Sequence, residues 1–147
     1  MSSELLYSEL FEKFETLESR EDKIAYLQKV SNRPFIEFLT AIFNPNVQFD
    51  VEIPKYRESF DPAGLSMTYL DAEMHRLYRF VVGHPKRADN LSAKKKSELL
   101  LVVLETLHRD EAALLVKLLT KKVKVKGLTA KLVAEAFPEI YVGEEIV

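Results

Sequence analysis

The chain has 147 residues, 21 Lys and Arg against 23 Asp and Glu, three His and neither Cys nor Trp. That length fits one domain with a core large enough to need no metal or disulfide staple, and the lack of Cys excludes disulfides, thiolate metal sites and a Cys nucleophile. A composition 47% apolar and 30% charged is globular, and four Gly provide no Gly-rich phosphate loop and little for a turn-rich β-sandwich, so an all-α, single-domain protein is expected.

Helix 1 is read from Leu6, Leu10, Phe14 and Leu17, which follow i, i+4 spacing, with Glu9, Glu12, Glu15 and Glu18 opposite. Ser19-Arg20-Glu21-Asp22 has the form of a capping box and starts helix 2, with Ile24, Leu27 and Val30 inward. Pro34 suits the first turn of helix 3, whose apolar residues are Phe35, Ile36, Leu39, Ile42 and Phe43. Asn44-Pro45-Asn46 ends it, and an extended strap is expected over about residues 47–66, where Val47, Phe49, Val51 and Ile53 alternate with polar residues.

Thr68-x-x-Asp71 is a second capping-box form, opening helix 4 through Leu70, Met74, Leu77, Tyr78 and Val81, with Gly83-His84-Pro85 as its stop. A polar, basic link follows. Leu99 to Leu104 is apolar all round, which predicts a buried central helix 5. Helix 6 is expected over Arg109 to Leu119 and a short helix 7 over Lys131 to Phe137, closed by Pro138. Residues 139–147 form a short acidic tail. The expected fold is thus a compact bundle of about seven helices with one strap, a single domain over 1–147.

The N-terminus has no basic segment ahead of an apolar one, which argues against a signal peptide, and Leu99 to Leu104 is far shorter than the ~18 residues of a spanning helix. A cytoplasmic protein with no membrane role is expected.

The signs of charge are segregated along the chain. Residues 1–22 hold seven acids and two bases. Seven bases and one acid lie between Arg76 and Lys96, and six lysines with no acid lie between Lys117 and Lys131. If the two basic segments meet in space, the surface is dipolar. Lys121-Lys122-Val123-Lys124-Val125-Lys126-Gly127 is the sharpest local feature. Alternation places the ammonium groups on one side with Val123 and Val125 as anchors, and Gly127 lets the backbone pass close to a ligand and offer its N–H. Thr129 would cap helix 7, whose first amides favour an anion such as phosphate. The plain alternative is a solvated Lys-rich connection.

Leu114-Leu115-x-Lys117-Leu118-Leu119, the basic loop to Gly127, and Leu128-Thr129-x-Lys131-Leu132-Val133-x-x-Ala136-Phe137-Pro138 resemble the end of the helical N-terminal DNA-binding domain of phage ATP-dependent DNA ligases. Asn44-Pro45-Asn46-Val47, Leu77-Tyr78-x-Phe80-Val81-x-Gly83 and Lys126 to Pro138 resemble, more closely, a family of small proteins of T-even-like and marine tailed phages. The resemblance implies a compact all-α fold whose last loop approaches the DNA backbone across a minor groove. In that alignment Lys122 stands for an Arg and Gly127 for a Gly, while Val123 and Lys124 depart from Asp and Leu, and Glu139 from a Gly.

No catalytic constellation emerges. The chain lacks the Lys-x-Asp-Gly nucleophile of a ligase, a His-Glu-x-x-His motif and a Gly-x-Ser-x-Gly elbow, so no enzyme activity, cofactor or metal is expected. His75 reads as a helix-surface residue, His84 as part of a stop and His108 as a helix C-terminal residue favoured by the dipole. Glu73 reads as a helix salt-bridge partner of Arg76 or Arg79.

Two functions fit. The first is a non-catalytic phage protein that holds duplex or nicked DNA by its backbone, accessory to replication or repair in the host cytoplasm. Lys121, Lys122, Lys124, Lys126 and Lys131 would meet phosphates, Gly127 and Thr129 would shape the loop, and Lys94, Lys95 and Lys96 would extend the footprint. The second is a protein-interaction module on the same scaffold, binding a phage or host protein through acidic and apolar segments.

Overall fold

Among the residues described by the computed structural model, 6–58, 68–82 and 92–142, seven α-helices and one 3₁₀ helix are joined by short links and one strap, with no sheet. Helix α1 (Tyr7–Glu15) buries Tyr7, Leu10, Phe11 and Phe14. Its start is closed by Glu9, whose carboxylate accepts the Leu6 N–H at 2.8 Å. Ser19 caps α2 (Arg20–Val30) by accepting the Asp22 N–H, and Leu27 and Val30 face the core. Asn32 caps α3 (Arg33–Phe43) through the Phe35 N–H at 2.8 Å, Pro34 lies in the first turn, and Asn44 closes the helix. Tyr7 meets Phe35 and Phe38 edge-on, with centroids 5.5 and 5.0 Å apart, which ties α1 to α3.

The strap follows. Residues 47–58 form no helix, and 59–66 of the expected span lie outside the described residues. Phe49 forms a single antiparallel bridge with Val81, and the strap then lies along α5 (Ala93–Thr106). Ser97 Oγ donates to the Glu52 carbonyl at 2.6 Å, and the Arg57 N–H donates to Glu105 at 3.0 Å. The strap thereby covers the core, with Val47, Phe49, Val51, Ile53 and Tyr56 packed against it.

The helix expected after Thr68 is different in kind. Only Leu70–Glu73 (α4) is α-helical, and Met74–Phe80 is a 3₁₀ helix. Met74, Leu77 and Phe80 are all buried, and their spacing of three residues lines one face of a 3₁₀ helix. No Thr68 capping box forms. The Thr68 hydroxyl donates instead to Glu73 at 2.9 Å, Tyr69 occupies the cap position, and Glu111 accepts the Leu70 N–H. Glu73 is buried and lies 3.8 Å from Arg76, the helix pair expected of it. The Gly83-His84-Pro85 stop lies outside the described residues.

Helix α5 begins earlier than expected. Ser92 caps it through the Lys95 N–H at 3.1 Å, so Lys94, Lys95 and Lys96 form its first turn rather than a link. Leu100 and Leu104 are fully buried, but Val102 is 63% exposed, so the helix has a solvent side. After Leu107 and His108, α6 (Arg109–Leu119) turns back along α5, with Glu111, Ala112, Leu115, Leu118 and Leu119 buried. His108 is the N-cap of α6, its Nδ1 accepting the Asp110 N–H at 3.1 Å, not a C-terminal cation. Thr129 caps α7 (Ala130–Ala136) through the Leu132 N–H, and α7 packs on α2.

Candidate functional site

The segment after α6 alternates as its sequence does. Lys122, Lys124 and Lys126 are exposed, while Val123 and Val125 are half-buried and pack on the core. Lys121 breaks the pattern. It takes a left-handed backbone with φ of 58° and turns its ammonium inward to the carbonyls of Ala41, Asn44 (3.4 Å) and Val47 (2.9 Å). Those carbonyls end α3 and begin the strap, so Lys121 acts as a cationic cap on the negative end of α3. Burial pulls its pKa below the ordinary lysine value.

Lys96 is engaged in the same way. It is 6% exposed, and its Nζ donates to the Asp50 carbonyl at 3.3 Å and pairs with the Asp50 carboxylate at 3.2 Å. Lys121 and Lys96 therefore leave the set of exposed cations. They fix where that set is. Both reach the same strap, at Val47 and at Asp50. Three residues of extended chain span at most about 11 Å, so with one hydrogen bond at each end the two ammonium groups lie within about 17 Å. The start of α5 and the segment after α6 are thus both anchored to the same short stretch of strap, and Lys94, Lys95, Lys117, Lys122 and Lys124, in the chain on either side of the two anchors, are exposed.

The first turn of α5 holds three lysines and no acid. Cations at a helix N-terminus oppose the dipole by roughly 0.3–1 kcal/mol each when exposed. Pairing with Asp50 compensates Lys96, while Lys94 and Lys95 stand in the unfavourable place.

The far end of the basic loop has a different setting. The Lys126 N–H donates to the Glu15 carboxylate at 2.8 Å. Gly127 has φ of 83°, a conformation that favours glycine, and a Cβ there would sit 2.7 Å from Lys23 Nζ, a flexible side-chain end that would have to move aside. Arg20 pairs with Glu135 between α2 and α7, and Gln28 Nε2 donates to the Ala136 carbonyl at 3.0 Å. Thr129 Oγ1 is engaged by the Leu132 N–H, and Lys131 is exposed on α7. The expected footprint is therefore divided. Lys122 and Lys124 follow Lys121, which is tied to the strap, whereas Lys126 bonds Glu15 at the end of α1 and Gly127 lies against Lys23 of α2.

Residues 10–125 match a family of unknown function, DUF6433. The chain belongs to that family. The DUF6433 match takes in Lys94–Lys96, Lys121, Lys122 and Lys124 and ends before Gly127 and α7. No curated protein and no solved structure matches the chain.

A second feature of this DUF6433 protein is an open cleft of about 650 Å³ between α3, the strap and the 3₁₀ helix. Asn32 and Asp71 meet at one end of these elements, and Phe49 bridges Val81 at the other, so α3 and the 3₁₀ helix run in the same direction. The cleft is consequently polar at the Arg33, Glu37 and His75 end and apolar at the Ala41, Val47, Phe49 and Val81 end. Sequence reasoning missed it because its walls lie far apart in the chain. Among the described residues no three His, Asp or Glu side chains are grouped to hold a metal ion, and no helix is long and apolar enough to cross a membrane.

Proposed function

We propose that this protein binds the phosphate backbone of duplex or nicked DNA without catalysis and with little sequence specificity. The observation that carries the reading is the placement of Lys94 and Lys95 at the disfavoured end of α5, in a segment that the strap links, through Lys96 and Lys121, to the segment holding the exposed Lys122 and Lys124. The helix dipole does not favour cations there, and a bound polyanion relieves their mutual repulsion and their conflict with the dipole. Contacts of this kind position a protein on DNA without reading bases. The side chains between the lysines are valines, which give bases no aromatic platform, so duplex is favoured over single strands. The resemblance to phage proteins supports a role accessory to replication or repair in the host cytoplasm.

The test is fluorescence anisotropy with intact, nicked and single-stranded labelled DNA across a salt series. Four exposed ammonium groups predict a log–log slope on the order of −3 to −4 on duplex. The Lys122→Glu/Lys124→Glu variant should lose most of the binding. Absence of binding at low salt overturns the reading. The cleft favours a second function, docking of a protein segment with apolar anchors and a charged flank, and that becomes the leading reading if DNA binding fails.

A further inference from the structure

Glu15 is the last residue of α1, where a carboxylate meets the negative end of the helix dipole. There it accepts a hydrogen bond from the Lys126 main-chain N–H at 2.8 Å, in the loop between α6 and α7, 111 residues away in sequence. Both residues are exposed, so the bond is open to competition from solvent anions. The surroundings are cationic. Lys124 and Lys126 flank the amide in the chain, and the Lys23 ammonium lies over Gly127 next to it. A carboxylate oxygen thus occupies a donor group set among lysines, where a phosphate oxygen would make the same bond.

We propose that Glu15 is an internal competitor for the DNA backbone, occupying the Lys126 amide in the free protein and yielding it to a phosphate in the complex. The inference rests on the DNA-binding reading and extends it. The loop then adds the Lys126 amide to the contacts of Lys122 and Lys124, and this last contact is held closed until DNA arrives. Free protein binds more weakly than its exposed lysines alone would allow.

The experiment compares the full chain with Glu15→Ala and with Glu12→Ala, an exposed acid one turn earlier on the same helix. Both variants remove one negative charge, so general electrostatics affects them alike. Affinity for a labelled duplex and its salt slope are measured for all three. Glu15→Ala should tighten binding roughly tenfold, as freeing one donor to a charged acceptor implies, with little change in the salt slope because the freed donor is a neutral amide. Glu12→Ala should change affinity about twofold or less, as a screened surface charge does. In ¹⁵N-labelled wild-type protein the Lys126 amide resonance should move on adding the duplex. Equal tightening in the two variants, or a Lys126 amide that does not respond, overturns the competitor while leaving DNA binding intact. No binding by any of the three at low salt overturns both readings together, and denaturation curves of matching midpoint exclude misfolding as the cause.

Discussion

Glu111 and Lys121 sit ten residues apart, at the start of α6 and just beyond its end, and do opposite versions of one job. The Glu111 carboxylate accepts the N–H groups of Tyr7 and Leu70, both at 2.8 Å, and so joins the starts of α1 and α4 to α6. The Lys121 ammonium donates to carbonyls that end α3 and begin the strap. Each satisfies orphan backbone groups at a helix end with a full charge. They differ in depth. Glu111 is 1% exposed, while Lys121 is only half-buried. The contrast teaches that formal charge in this chain serves two purposes, joining elements inside and presenting a field outside, and that neighbouring lysines divide between them.

The sharpest way to break the comparison is Glu111→Ala, which leaves two buried N–H groups without an acceptor. A loss of roughly 2–5 kcal/mol is expected from urea denaturation, since each buried donor left unsatisfied costs about 1–3 kcal/mol. A loss below about 1 kcal/mol would show that water replaces the carboxylate. Burial pushes the Glu111 carboxyl above its ordinary value of 4.5, against the opposing pull of the two N–H groups. A raised folded-state pKa means that this group's contribution is complete below the unfolded value and is lost as pH rises through the folded one. The wild type should therefore lose stability relative to Glu111→Gln as pH climbs above the ordinary carboxylate range. Parallel profiles would contradict it.

Lys121→Met tests the other half. Carbonyls have solvent and neighbouring donors to fall back on, so a smaller cost of about 1–3 kcal/mol is expected, with DNA affinity falling less than in Lys122→Glu. Gly127→Ala should cost about 1 kcal/mol or somewhat more, because the left-handed backbone is retained and Lys23 is displaced. The smallest effect is the most diagnostic. Lys94→Glu/Lys95→Glu should raise the melting stability by a few tenths to about 1 kcal/mol, since acids suit a helix N-terminus. The same variant should weaken duplex binding. Stability and binding that fall together would mean that these lysines serve the fold.

Much of the architecture was legible because its signals are local. Ser19 and Pro34 mark the starts of α2 and α3, Asn44 the end of α3, and the apolar pattern of Arg109 to Leu119 matches α6 residue for residue. The 3₁₀ helix is hidden in the sequence because Leu70, Met74, Leu77, Tyr78 and Val81 fit an α-helical pattern, although the buried Met74, Leu77 and Phe80 keep a period of three. The start of α5 was hidden by its own lysines, which contradict the usual charge preference of a first turn. The site was half legible. Alternation of Lys and Val foretold which of Lys122, Lys124 and Lys126 face solvent. It could not reveal that Lys121 and Lys96 turn inward, since Val47 and Asp50 are 74 and 46 residues away. Nor could it reveal Glu15 on the loop.

The central proposal is that the two basic segments anchored to the strap by Lys96 and Lys121 bind a phosphate backbone together. Its most direct test is a titration of ¹⁵N-labelled protein with a short duplex at low salt, followed by amide chemical shifts. The account predicts that residues around Lys94 and Lys95 and those around Lys122 and Lys124 shift together along one saturable curve, and that added salt reverses both. Shifts confined to one segment, or found instead around Arg33, Ala41 and Phe49 in the cleft, would contradict it.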